Sequence, residues 1–139
     1  MSVADLWFSG QLRDISVDEC LELAGSRPVG RISYCTEHGP VTLPLNHVVN
    51  GQDVMFRTTP HSDLGQRLHS GPEVCYEVYD FDEFFESGWS VLFRGRVSVI
   101  KPGDLPLTGD FPTPWVGDDR VLLARIHADT VTGRQIVGS

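Results

Sequence analysis

Asn50-Gly51 lies between two runs of alternating apolar residues, and no other feature of the chain restricts its fold as much. Both residue types accept the positive φ that a two-residue hairpin turn demands, so the pair joins two antiparallel strands directly. The run before it, Val41 to Val49, places Val41, Leu43, Leu45, His47 and Val49 on one face, and the run after it is Asp53-Val54-Met55-Phe56-Arg57-Thr58. A further strand, Gly30 to Cys35, precedes them through the turn Glu37-His38-Gly39-Pro40. Three strands joined this tightly form a meander. Such an arrangement has no place for the crossover helices of a doubly wound parallel sheet. Pro44 adds a second restriction: it has no N–H for a ladder, so its strand is at an edge there or carries a bulge.

The rest of the chain continues in the same style. Ser16 and Glu19 have capping-box spacing and Ile15 with Cys20 can form the hydrophobic staple, so a helix is predicted from Val17 to about Ala24, stopped at Gly25 and blocked by Pro28. Ser62 caps a short helix through Leu68 that ends at Ser70-Gly71-Pro72. Val74 to Tyr79 is a fourth strand, and the acidic, aromatic segment Asp80 to Ser87 reads as an exposed connection. Trp89 to Ile100 is the longest strand, with a bend or bulge expected at Gly95. Val121 to Ala128 is the sixth, followed by a tail containing Thr132-Gly133-Arg134. One domain over residues 1–139 is expected, with 1–11 as an N-terminal extension and 101–119 as a proline-rich loop anchored by Phe111 and Trp115. Six strands and two short helices without βαβ alternation give an antiparallel, barrel-like α+β domain.

Charge narrows the functions. The 139 residues carry a formal charge of −8, and the scarce Lys and Arg are scattered, which argues against a phosphate-backbone binder and hence against nucleic acid. No stretch approaches the ~20 apolar residues of a membrane span, and Met1 to Gly10 has neither a basic start nor an apolar signal core. A soluble, cytoplasmic protein without a membrane partner is the expectation. Cys20, Cys35 and Cys75 show no paired spacing and read as buried thiols.

Motifs for common chemistries are missing. The five histidines fall on different elements without HxH or HExxH spacing, so no metal site is expected. There is no G-x-S-x-G elbow, Walker loop or G-x-G-x-x-G fingerprint. Two segments remain. Arg57-Thr58-Thr59, at a strand end before the helix start at Ser62, combines a guanidinium fork, two hydroxyls and backbone N–H groups, a set that suits a phosphate. The same residues also fit a solvated strand end. In Ser87-Gly88-Trp89-Ser90-Val91 a glycine allows close approach beside a large aromatic and a hydroxyl, although such a tryptophan is as readily core.

In order along the chain, Glu19-Cys20-Leu21, Val29-Gly30-Arg31-Ile32, Pro44-Leu45-Asn46-His47, Phe56-Arg57-Thr58, Gly88-Trp89-Ser90-Val91 with Gly95, Arg125-Ile126 and Val131-Thr132-Gly133-Arg134 form a recognisable set. From about Leu12 to Val137 the chain resembles the pyridoxamine 5′-phosphate oxidase-like flavin-binding split-barrel family, in its small, nitroimidazole-resistance-like branch. The resemblance implies a six-stranded split β-barrel that forms a homodimer with flavin mononucleotide (FMN) in grooves at the subunit interface. It implies that Arg57 and Thr58, with Thr59 and Ser62, hold the phosphate. The flavin ring would lie against Pro44, Leu45, Asn46 and His47, with Trp89 and Ser90 bordering the same groove. Chemistry would then be reduction or oxidation of a small-molecule substrate, carried by the cofactor. A deazaflavin or haem in the groove, or a non-catalytic sensing dimer, are the alternatives on this fold. His47 is the candidate proton donor, with a packed, hydrogen-bonded core histidine as the competing reading. One departure stands out: where relatives commonly carry a lysine for the phosphate, this chain has Asp63, whose charge would be repulsive there, with His61, Ser62 and Arg67 as groups able to offset it.

Overall fold

The computed structural model describes residues 11–101 and 121–137. Along them run β1 (Gln11–Asp14), α1 (Val17–Gly25), β2 (Val29–Thr36), β3 (Gly39–Asn50), β4 (Asp53–Thr58), α2 (Asp63–Arg67) with a 3-10 turn (Leu68–Ser70), β5 (Glu73–Asp82), β6 (Ser87–Val99) and β7 (Leu122–Val137). The strands follow one another in the order β7-β4-β3-β2-β5-β6, and β6 pairs back onto β7, which closes a six-stranded antiparallel ring. The hairpin between β3 and β4 forms as expected, but its two turn residues are Gly51, at φ 60°, and Gln52, while Asn50 is the last residue of β3, opposite Asp53. Gly95 lies at the bulge between β6 and β7, where a side chain would collide with the His127 carbonyl oxygen.

The ring closes on an apolar interior. Alternation sends Ile32 and Tyr34 from β2, Val54 and Phe56 from β4, Tyr76 and Val78 from β5, Val91 and Phe93 from β6, and Ala124 and Ile126 from β7 inward, all buried. Helix α1 starts where Ser16 Oγ accepts the Glu19 N–H at 3.2 Å, and it buries Cys20 and Ala24. Gly133 of β7 sits against the Cys20 sulfur and Ile15, so α1 packs closely on that strand. Leu64 and Leu68 from α2 and its 3-10 turn add to the same core.

Several expectations change. Asp80 to Ser87 is not a long exposed connection: β5 continues to Asp82 and β6 begins at Ser87, leaving a short turn in which Asp82 accepts the N–H groups of Phe84 and Phe85 at 3.0 and 3.2 Å. The last strand does not stop at Ala128 but runs to Val137, so Thr132-Gly133-Arg134 is ladder rather than tail. Its end pairs with β1, a strand that alternation over four residues cannot reveal. Cys20 is buried as expected, whereas Cys35 is exposed and Cys75 half-buried. The proline-rich loop, with Phe111 and Trp115, lies outside the described residues apart from Lys101.

Candidate functional site

Pro44 marks where the barrel wall opens. Residues 39–46 of β3 pair with β2 alone, and only His47 to Asn50 pair with β4. Beyond the His47–Phe56 pair, β3 and β4 part, and the edge of β3 that carries Pro44 has no strand beside it among the described residues. The proline therefore stands where a missing N–H disrupts no second ladder. Extrapolating the register one step places Asn46 next to Arg57 at the mouth of this opening.

Strand geometry divides the predicted ring-binding residues between two faces. Leu45 and His47 point toward the interior, while Pro44 and Asn46 lie on the outer face. His47 is 5% exposed, and both its ring nitrogens are engaged: Nε2 is 3.0 Å from the Ala24 carbonyl and Nδ1 is 2.6 Å from the Tyr76 hydroxyl. A carbonyl only accepts, so Nε2 carries the proton, and in the neutral ring the Tyr76 O–H, which also lies 3.1 Å from the Leu45 carbonyl oxygen, donates to Nδ1. Burial lowers the His47 pKa below its ordinary value, which keeps this neutral tautomer in place. Tyr76 is pushed the other way by the same desolvation. These contacts give His47 the role of a packed, hydrogen-bonded core residue.

The predicted phosphate group separates likewise. Ser62 Oγ donates to the Thr59 carbonyl at 2.8 Å and accepts the Gly65 N–H at 2.9 Å, so at its 2.9 Å contact with Thr58 Oγ1 the threonine donates. Both hydroxyls are spent on closing the turn into α2. Arg57, by contrast, projects from the outer face of β4, half-buried, and its guanidinium has no hydrogen-bond or ion-pair partner among the described residues. A half-buried fork of unused donors beside an unpaired strand edge fits a phosphate or another anionic group.

Asp63 is exposed but not bare. Its carboxylate accepts from the buried Tyr34 hydroxyl at 2.7 Å and from Arg67 Nε at 3.0 Å, and these bonds hold it below the usual carboxylate range, with Arg67 the larger cause. Arg67 in turn reaches Glu37 at 3.2 Å. Held between two carboxylates, Arg67 is not an idle cation for a ligand. Tyr34, desolvated and bonded to Asp63, has its pKa pushed up to about 12. Asp63→Lys should therefore remove the acceptor of the Tyr34 hydroxyl and lower stability, while Asp63→Asn keeps an oxygen for it. Thermal unfolding should place the lysine variant clearly below the asparagine variant; equal melting temperatures would show that the Tyr34 contact contributes nothing.

Trp89 and Ser90 lie elsewhere. On β7, Trp89 pairs with Gln135 and Arg57 with Leu123, 12 positions apart, or roughly 40 Å of strand path at ~3.3 Å per residue. Trp89 packs toward the core and, with Asp80, Asp82 and Gln135, lines a pocket of about 240 Å³, whereas Ser90 faces outward. One chain thus does not bring the two predicted halves of the groove together. Sequence reasoning counted Arg125 among the motifs but gave it no role; it lies on the same outer face as Arg57 across the β4–β7 ladder. The period-two pattern of β7 places it there, but only the register shows its neighbour.

Comparison with known proteins agrees with this architecture. The chain is 28% identical over 129 residues to the uncharacterised protein Rv0080 of Mycobacterium tuberculosis, covering 89% of this chain and 85% of the relative. Among solved structures it resembles the FAD binding protein from Mycobacterium smegmatis, with TM-score 0.68, 27% identity and coverage of 90% of this chain and 98% of the other. A Bacteroides thetaiotaomicron protein named for 5-nitroimidazole antibiotic resistance shares the fold, with TM-score 0.71 at 16% identity and coverage of 94% and 91%. The family model described as pyridoxamine 5′-phosphate oxidase matches residues 16–135. On that match, and on a closed antiparallel barrel opened beside Pro44, the chain belongs to the pyridoxamine 5′-phosphate oxidase family.

Proposed function

We propose that this chain binds a flavin nucleotide and acts, as a homodimer, in the oxidation or reduction of a small molecule. The observation that carries the reading is the Arg57 guanidinium, without a partner among the described residues, beside the edge of β3 that no described strand covers. Arg57 would hold the phosphate, and Pro44 and Asn46 would border the flavin. Trp89 and Ser90, a strand's length away, would complete the groove from the partner subunit. A bound flavin supplies hydride or electron transfer, and the chain's own groups bind it, orient it and shield it from water. FMN is the smallest flavin that satisfies such a site; the M. smegmatis relative, named for FAD, makes the dinucleotide the competing ligand.

Absorption and mass spectra of the protein as purified test this. A yellow protein releasing FMN or FAD is the expected result. A colourless protein that takes up neither nucleotide on addition overturns the reading, and a haem or deazaflavin spectrum replaces the cofactor.

A further inference from the structure

The outer face of the β4–β7 ladder holds a second guanidinium close to Arg57. Asp53 pairs with His127, Met55 with Arg125 and Arg57 with Leu123. Residues 54 and 56 of β4 and 124, 126 and 128 of β7 are buried inward, so the intervening residues project from the barrel. Two observations support this orientation: Asp53 Oδ1 meets His127 Nδ1 at 2.7 Å, and Met55, although 3% exposed, is not part of the core cluster. Arg57 and Arg125 are thus diagonal neighbours, roughly 7–8 Å apart at the backbone, a spacing that two long side chains span by gripping one phosphate between them.

The charges on this face favour an anion. Arg125 is held only loosely by Asp53, at 3.9 Å, and Asp53 is already engaged by His127. On the other side of β7, Arg96 pairs with His127 and donates to the Gly71 carbonyl at 3.0 Å, with no carboxylate partner among the described residues. On the described outer positions of these three strands the carboxylates are Asp53 and, at the bulge, Asp129, set against Arg57, Arg125 and Arg96, in a chain whose net charge is −8.

We propose that Arg57 and Arg125 together form the phosphate-binding pair, and that Arg125 supplies the second cation which the α2 position, occupied by Asp63, does not. The flavin identity of the ligand rests on the function proposed above; the two-guanidinium anion site does not. FMN and riboflavin, which lacks the phosphate, are titrated into the wild type, Arg125→Ala and Arg125→Lys, following flavin fluorescence. Arg125→Ala should weaken FMN binding roughly tenfold or more without changing riboflavin binding. Lysine should restore part of the loss, because it returns the charge without the planar fork. Unchanged FMN affinity in Arg125→Ala, or an equal loss for both ligands, overturns the proposal while leaving flavin binding intact. If the wild type binds neither flavin, inorganic phosphate decides: it should shift the arginine Nε–H resonances of both Arg57 and Arg125, assigned through the alanine variants. No shift at Arg125 overturns the site.

Discussion

Tyr76→Ala is expected to destabilise the fold by about 3–5 kcal/mol, the range for truncating a large buried aromatic. Tyr76 is 0% exposed, and its ring closes the interior against β2 so tightly that a side chain at Gly30 would collide with it. Its hydroxyl also gives His47 Nδ1 its donor. Tyr76→Phe keeps the ring and removes that donor, so it should cost about 1–3 kcal/mol, less than the alanine variant. Urea unfolding measures both; a phenylalanine variant as stable as the wild type would mean that the Tyr76–His47 bond carries no net stability.

The same pair gives a pH dependence. Burial holds the folded His47 pKa below its ordinary value of 6.5. The unfolded chain therefore takes up a proton at this residue before the folded chain does. The contribution of neutral His47 is complete above pH 6.5 and diminishes as pH falls below it. The stability gap between the wild type and His47→Gln should narrow over that window; a gap that widens on acidification would contradict a buried, neutral imidazole.

Arg57→Ala carries the other large effect. It should weaken FMN binding by about 1.5–3 kcal/mol, a rise in dissociation constant of roughly tenfold to a little over a hundredfold. The side chain has no partner among the described residues, so its removal strands no other group and should leave folding stability nearly unchanged. That combination separates a binding role from a structural one. Loss of stability equal to the loss of affinity, or an unchanged affinity, would assign the phosphate to other residues.

Much of the barrel was legible because its local signals agree with the long-range result. Asn50-Gly51 signals a hairpin whatever surrounds it, Pro44 an edge or a bulge, and Gly95 a bend or a bulge; all three stand where the ring needs them. The acidic, aromatic stretch from Asp80 misled because charge and exposed rings imitate a loop, although the ladder with β6 continues through it. The length of β7 was hidden for a related reason: Thr132-Gly133-Arg134 reads as tail until the close approach of Cys20 explains the glycine. At the site, residue types were legible and their distribution was not. Arg57 stands out by chemistry, but its separation from Trp89 and its closeness to Arg125 follow from the register on β7, set by ring closure.

Equilibrium titration of the purified protein with FMN, followed by flavin fluorescence, tests the central claim most directly. Saturable binding with one flavin per chain, weakened by Arg57→Ala, is the expected result. Fluorescence that stays at the value of free flavin throughout the titration, with FMN and with FAD alike, would contradict it.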